Sequence, residues 1–333
     1  MPLRPLPTRI FAVGLVLGAA LLAVCGAAAA ASCQLGTIGT RHVELKGSSA
    51  WIEGSVNAQP IRVLLDTGSS LTSLSRQFAQ RASLDLHPAQ GWVYGVGGRS
   101  DVYSAHIKSL AFGPLLAEDV YVAVIADTGE TPTWDGILGA DILFGHDLEM
   151  ALKDGEIRVL MPDGCRDEFL AYWDREASAV PMSRVSHIDH RQIITVQVND
   201  RDVRALIDSG AYRSMIDAAS AGRLGVTRET SKIPSESRIS GVGPGKVDTW
   251  VAPFRKVVIG RESISDTQLL VGDLRSGHRQ DADVETRIRR QNDMGYDMVL
   301  GADFLKAHRV LFSVKQELFY FSYVGGRIFA IDH

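Results

Sequence analysis

The stretch VLLDTGSSLTSLS at 63–75 comes back, altered but recognisable, as ALIDSGAYRSMID at 205–217. Leu65-Asp66-Thr67-Gly68 answers to Ile207-Asp208-Ser209-Gly210, an offset of 208 − 66 = 142. The correspondence continues in the same order: YGVGG (94–98) with SGVGPG (240–245), HIKSLAFG (106–113) with PFRKVVIG (253–260), and DGILGADIL (135–143) with DMVLGADFL (297–305). His146 and His308, then Lys153 and Lys315, follow at an offset of 308 − 146 = 162. A repeat of this extent is one structural unit made twice, so the chain is expected to fold as two similar lobes. The offset grows because the second copy carries extra residues, most of them in the polar stretch 272–295, which reads as an exposed loop.

Within each copy the segments are short, alternating and bounded by glycine turns, as in RHVELKGSSAWIEGSV and RQIITVQVNDRDVRALI, with VYVAVI and DTQLLV as interior strands. Helical signal is confined to brief stretches after each acid motif, LSRQFAQRAS and MIDAASAGRL. The expected fold class is therefore all-β, with a first lobe at 32–160, a linker at 161–180 and a second lobe at 181–333. Aromatic residues in the linker suggest that part of it packs down. A length of 333 residues suits two domains of ordinary size, and 45% apolar with 22% charged residues marks a globular chain.

Arg4 and Arg9 precede an uncharged apolar stretch from Ile10 to Val24 and an alanine run ending near Ala31, the layout of a secretory signal peptide over 1–31, cleaved near Ala30 to Ser32. An uncleaved membrane anchor stays open, as does a lipidated Cys25, although Val24 is a poor residue before a modified cysteine. The expected location is periplasmic or secreted, with a membrane as partner only if the signal is retained or lipidated. Without the signal, Lys and Arg number 35 − 2 = 33 against 39 acids, a net charge of −6, which argues against a nucleic-acid partner. Cys33 and Cys165 then remain, and an even pair in an exported chain suggests one disulfide. Two free thiols stay open, because Cys33 lies near a chain end.

A carboxylate directly after Leu64 and Leu65 is costly to desolvate unless partners hold its charge, so Asp66 is either a turn residue or kept for chemistry. Its repetition as Asp208 favours chemistry. Two lobes that each present one aspartate at a strand-to-turn junction can bring the carboxyl groups together about a pseudo-twofold axis. Carboxylates about 3 Å apart do not both ionise easily, so they share a proton. One acid and one base flanking a water molecule are the equipment for attack on a peptide carbonyl, with no metal or other cofactor required. Gly68 and Gly210 permit a tight turn with backbone N–H groups close to the carboxylates, and the hydroxyls of Thr67 and Ser209 are placed to bond across the lobe junction. Ser69 has a hydroxyl where the second copy has Ala211, so Asp66 is expected to hold the negative charge and Asp208 the shared proton.

With apolar-apolar-Asp-Thr/Ser-Gly, a glycine-rich tip and apolar-apolar-Gly-Ala-Asp present twice in order, the sequence resembles the retropepsin-like aspartic proteases, over nearly all of the chain after the signal. The resemblance implies two retropepsin-like lobes fused in one chain, as in the pepsin-like arrangement, with the active site between them and one chain sufficient as a monomer. It implies catalytic Asp66 and Asp208, with Thr67, Gly68, Ser69, Ser209 and Gly210 supporting the dyad, and substrate-binding flaps at Gly95, Gly97, Gly241 and Gly243. The implied activity is that of an aspartic endopeptidase on peptide or protein substrates. A catalytically silent peptide-binding protein and an enzyme that needs two whole chains stay open. Ser209 stands where threonine is commoner, and Pro244 stiffens the second flap.

Other candidates read more plainly. Asp127-Thr128-Gly129 is followed by no apolar return and reads as a loop. Asp141 and Asp303 are expected to cap short helices. His187-Ile188-Asp189-His190 has no further ligand motif and reads as a solvated strand edge, and the glycines at 95–98 read as a hairpin tip rather than a phosphate loop.

Overall fold

The hairpin leading to each acid motif shows how closely the two copies follow one path. Ser49–Val56 pairs with Gln59–Leu65, Val56 opposite Gln59, and Gln192–Val198 pairs with Arg201–Ile207, Val198 opposite Arg201. The turn residues Asn57 and Ala58 have φ of 49° and 64°, and Asn199 and Asp200 have 49° and 65°. Two consecutive left-handed residues make the turn whose twist matches that of the flanking strands. Asn57 Oδ1 accepts from the N–H groups of Lys108 and Ser109, and Asn199 Oδ1 from those of Arg255 and Lys256, so in both lobes an asparagine ties the hairpin to a long neighbouring strand.

The computed structural model describes residues 33–126, 134–231, 236–275 and 294–329. The proposed signal, Asp127-Thr128-Gly129 and residues 276–293 of the expected loop lie outside the described residues.

The fold is all-β. The first lobe is a sheet running Glu44–Lys46, Ser49–Val56, Gln59–Leu65, Gly136–Leu138, Ser73–Ser75, Leu115–Ile125, Gly98–Phe112 and Leu86–Gly95, with Ser49–Val56 pairing back onto Gly98–Phe112. The second lobe repeats it with Gln192–Val198, Arg201–Ile207, Met298–Leu300, Met215–Asp217, Glu262–Gly272, Val247–Ile259 and Glu236–Ile239, Gln192–Val198 pairing back onto Val247–Ile259. Alternate side chains point inward, as in Gln192–Val198, so the core fills from both faces of a folded-over sheet. The short helices Arg76–Arg81 and Ala218–Arg223 start where Ser75 Oγ accepts from the Phe78 N–H and an Asp217 carboxylate oxygen accepts from the Ala219 and Ser220 N–H groups.

Between the lobes lies a shared sheet. Its order is Gln34–His42, Glu156–Asp163, Asp147–Ala151, His308–Ser313, Leu318–Tyr323 and Ser178–Arg184, three strands from each side of the chain's midpoint. Its strands take in 161–163 and 178–180 from the range read as linker, leaving 164–177 as the connection. That connection packs down: Leu170, Ala171 and Ala177 are buried with Leu160, Leu311 and Tyr320, and Trp173 Nε1 donates to Ser322 Oγ. Cys33 and Cys165 are joined by a disulfide that fastens the outer strand Gln34–His42 to the end of Glu156–Asp163.

Glu149, in the central strand Asp147–Ala151, is wholly buried. It accepts from Arg158 Nη1 at 2.5 Å, Arg309 Nη2 at 2.6 Å and the Tyr172 hydroxyl at 2.8 Å, so one carboxylate gathers the first copy, the second copy and the connection. Glu149→Ala is expected to lower stability by about 3 kcal/mol, because breaking a buried charge cluster leaves its partners poorly solvated. Urea unfolding checks this; a loss below about 0.5 kcal/mol, the range of an ordinary surface change, would contradict it.

Candidate active site

Each aspartate stands where a core strand runs out. Gln59–Leu65 lies parallel to Gly136–Leu138, and the Asp66 N–H donates to Leu138 O at 3.0 Å; the Asp208 N–H donates to Leu300 O at 2.9 Å in the same way. The chain then turns back on the carboxyl group. The N–H groups of Gly68 and Ser69 donate to Asp66 Oδ1, both at 2.9 Å, and those of Gly210 and Ala211 donate to Asp208 Oδ1 at 2.8 and 3.0 Å.

The glycines of these turns are there to admit the opposite lobe. A Cβ on Gly68 would sit 2.1 Å from Asp208 Cγ, and one on Gly210 2.4 Å from Asp66 Cγ. No side chain fits in that space without pushing a carboxyl group aside. Each carboxyl group is consequently packed against the glycine of the other turn, which brings the two together across the junction.

Beneath them the turns are locked together by buried Thr67 and Ser209. Thr67 Oγ1 donates to Ile207 O at 2.8 Å and accepts from the Ser209 N–H at 2.9 Å; Ser209 Oγ donates to Leu65 O at 2.7 Å and accepts from the Thr67 N–H at 3.0 Å. Four reciprocal bonds in a buried site fix the separation of the two carboxyl groups far better than packing alone.

A further layer supports each turn. Asp141 Oδ1 accepts from the N–H and hydroxyl of Thr72 at 2.8 and 2.7 Å, and Thr72 Oγ1 accepts from the Gly139 N–H; Asp303, Ser214 and Gly301 repeat the arrangement. Asp141 and Asp303 are thus not the helix caps expected of them. Gly139 and Gly301 occupy the cap positions, and the aspartates, in the first helical turn, accept from the N–H groups of Ile142 and Phe304 at 2.9 and 3.0 Å as well as from the loop that returns from the dyad.

Both aspartates are half-buried. Burial, reinforced by the negative charge of Asp208, holds the Asp66 carboxyl well above the ordinary carboxylate range. Burial also raises Asp208, but its bond to Asp66, the N–H groups of Ala211 and Gly210 and the charge of Arg191 pull it back. The hydroxyl expected to set the two apart is engaged elsewhere. Ser69 Oγ donates to Leu71 O at 2.9 Å, and Ser69 serves Asp66 through its backbone N–H, as Ala211 serves Asp208. Its hydroxyl introduces no difference between the two turns.

The glycine-rich segments are hairpin tips that touch one another. Gly95 lies opposite Gly98 in the first, and the second spans the residues between Glu236–Ile239 and Val247–Ile259. The Gly97 N–H donates to Val242 O at 2.9 Å and Gly97 O accepts from the Gly245 N–H at 2.6 Å. A Cβ on Gly97 would lie 2.4 Å from Gly243 O, so this contact requires glycine. Gly95 and Gly241 face Val242 and Val96 of the opposite tip.

Sequence reasoning missed Arg191 and Tyr296. The segment 187–190, read from the sequence as a solvated strand edge, supplies Asp189 as the partner of Arg191, with Nη2 to Oδ2 at 2.6 Å and Nε to Oδ1 at 3.0 Å. Only the closeness of Arg191 to the acid motif, 208 − 191 = 17 residues, hinted at it.

A search of curated proteins finds no match. Among solved structures, the crystal structure of the aspartic proteinase from Irpex lacteus matches at 13% identity, over 86% of this chain and 97% of that one, with a TM-score of 0.49. The family model described as aspartyl protease matches residues 52–142 and 194–304, one stretch in each copy. Since the two stretches together span more than half of the sequence and enclose both aspartate turns, the chain belongs to the aspartyl protease family.

Proposed function

We propose that this protein is an exported, monomeric aspartic endopeptidase whose single chain supplies both halves of its catalytic dyad, Asp66 and Asp208. The observation that carries the reading is the pair of carboxyl groups brought together across the lobe junction, each held by two backbone N–H groups. Such a pair at intermediate pH holds one proton and one negative charge. The ionised member takes a proton from a water molecule as that water attacks the peptide carbonyl carbon, and the protonated member gives its proton to the carbonyl oxygen. Collapse of the tetrahedral diol returns a proton to the dyad and protonates the departing nitrogen. The glycine-tipped hairpins would cover an extended peptide laid along the junction, with Gly95, Gly97, Gly241 and Gly243 allowing close backbone approach. Export is supported by the Cys33–Cys165 bridge, since disulfides persist in oxidising compartments, and by the apolar N-terminal stretch.

The test is incubation of the processed protein with a mixed peptide library, with and without pepstatin, followed by mass mapping of the cut sites. Pepstatin-sensitive cleavage inside peptides is the expected result. Peptide binding without any cleavage between pH 3 and 7 would leave a silent binding protein instead.

A further inference from the structure

We propose that Arg191 is a positioning residue that keeps the negative charge of the dyad on Asp208 and leaves the shared proton on Asp66. The inference rests on the dyad reading above and adds which carboxyl group acts as base.

The two lobes present their aspartates on matching strands. Trp51 lies opposite Leu64 and Ile193 opposite Leu206, both displaced by 142, so the strands leading to the two aspartates superpose in register. Gly136 and Met298, which pair with Val63 and Ala205, are displaced by 298 − 136 = 162. On these offsets Arg191 occupies the place of Ser49, Asp189 that of Gly47, and Tyr296 that of Trp134. The backbone surroundings of the two carboxyl groups are nearly identical, and this trio is where the second lobe departs from the first.

The guanidinium is oriented toward the dyad. Its Nε and Nη2 edge is taken up by Asp189, and its remaining corner, Nη1, reaches across the junction to Gly68 O at 3.4 Å. Gly68 is the residue whose missing Cβ makes room for the Asp208 carboxyl group. The ion pair therefore stands with its positive end at the catalytic turn and its negative end behind. The Arg191 side chain is only 21% exposed, so little solvent screens it. The ring of buried Tyr296 lies beside it, centroid 5.8 Å from Cζ. Burial raises the Tyr296 hydroxyl, which stays neutral, and although burial works against the charge of Arg191, the bonds to Asp189 more than restore it. Around Arg191 stand Asp189 on its own segment, Tyr296 on the segment entering Met298–Leu300, and Asp208 of the dyad. Arg204, on the neighbouring strand, has its guanidinium beside Gly295. At the corresponding place in the first lobe Ser49 offers Asp66 no charge.

Labelling the aspartate carboxyl carbons with 13C and titrating the intact protein by NMR tests this without relying on turnover. The dyad resonances are the two lost in Asp66→Asn and Asp208→Asn respectively. In the native protein Asp208 is expected to ionise at lower pH than Asp66. Arg191→Ser, which installs the residue of the first lobe, is expected to raise the Asp208 transition by about one unit. The acidic limb of the kcat/KM profile should move with it, and Arg191→Lys should restore the order. Arg191→Gln, closer in volume, serves if the serine variant does not fold. The proposal is overturned if Asp66 ionises first in the native protein, or if a folded Arg191→Ser or Arg191→Gln leaves both transitions in place. Failure of the native protein to cut any peptide would sink the protease reading while leaving the titration order to be read.

Discussion

Asp66→Asn is expected to lose at least about 10³-fold in peptide cleavage and yet to unfold at a higher temperature than the native chain at neutral pH. The loss follows because the dyad needs one group that can give and one that can take a proton, and asparagine does neither; Asp208→Asn should fail as completely. The gain follows from linkage. The Asp66 carboxyl lies well above its unfolded value, so its contribution to stability is complete below about pH 4 and is lost as the pH rises through the folded value. An asparagine never ionises; its side-chain oxygen accepts the same Gly68 and Ser69 N–H bonds, and its amide donates to Asp208. The melting advantage of the variant should therefore widen from pH 4 upward. Native-like cleavage by either variant would refute a shared dyad, and a variant less stable than the native chain at every pH would refute the cost of ionising Asp66 in the fold.

Removal of the Cys33–Cys165 bridge is expected to cost about 4–5 kcal/mol in the chain-entropy model, since it closes a loop of 132 residues. The strand beside it explains why the fold cannot easily make up the loss. Gln34–His42 is the outermost strand of the shared sheet and is exposed along most of its length, so little apolar burial holds it once the bridge is gone. Urea unfolding with and without reductant, and of Cys33→Ser, should show the lowered midpoint. Thiol titration of the unreduced protein should find neither cysteine reactive.

Legibility in the sequence was uneven for reasons that can be named. The offset between LLDTG and LIDSG passed directly into structure, because strand register, turn type and the cross-bonding of Thr67 with Ser209 all follow from local sequence repeated twice. The shared sheet did not, since Asp147–Ala151 meets His308–Ser313 across some 160 residues and neither strand carries a mark of its partner. Ser69 misled because a hydroxyl can turn either way, and a neighbouring carbonyl, Leu71 O, took it. Arg191 stayed hidden among the polar residues of HIDHRQ, where only folding brings Gly68 to its free corner.

The pairing at the centre of that sheet has a bearing on how such a chain can change over time. Glu149 lies opposite Leu311, and 311 − 149 = 162, the offset of the repeat itself, so these two are the same position in the two copies and the pseudo-twofold axis passes between them. Were the halves made separately, the second could place Leu311 against Leu311 of its twin. The first would place Glu149 against Glu149, like charges facing each other in a buried ladder and deprived of Arg309. A position that holds glutamate on one side and leucine on the other therefore suits the two halves in one chain and not a symmetric pair of first halves.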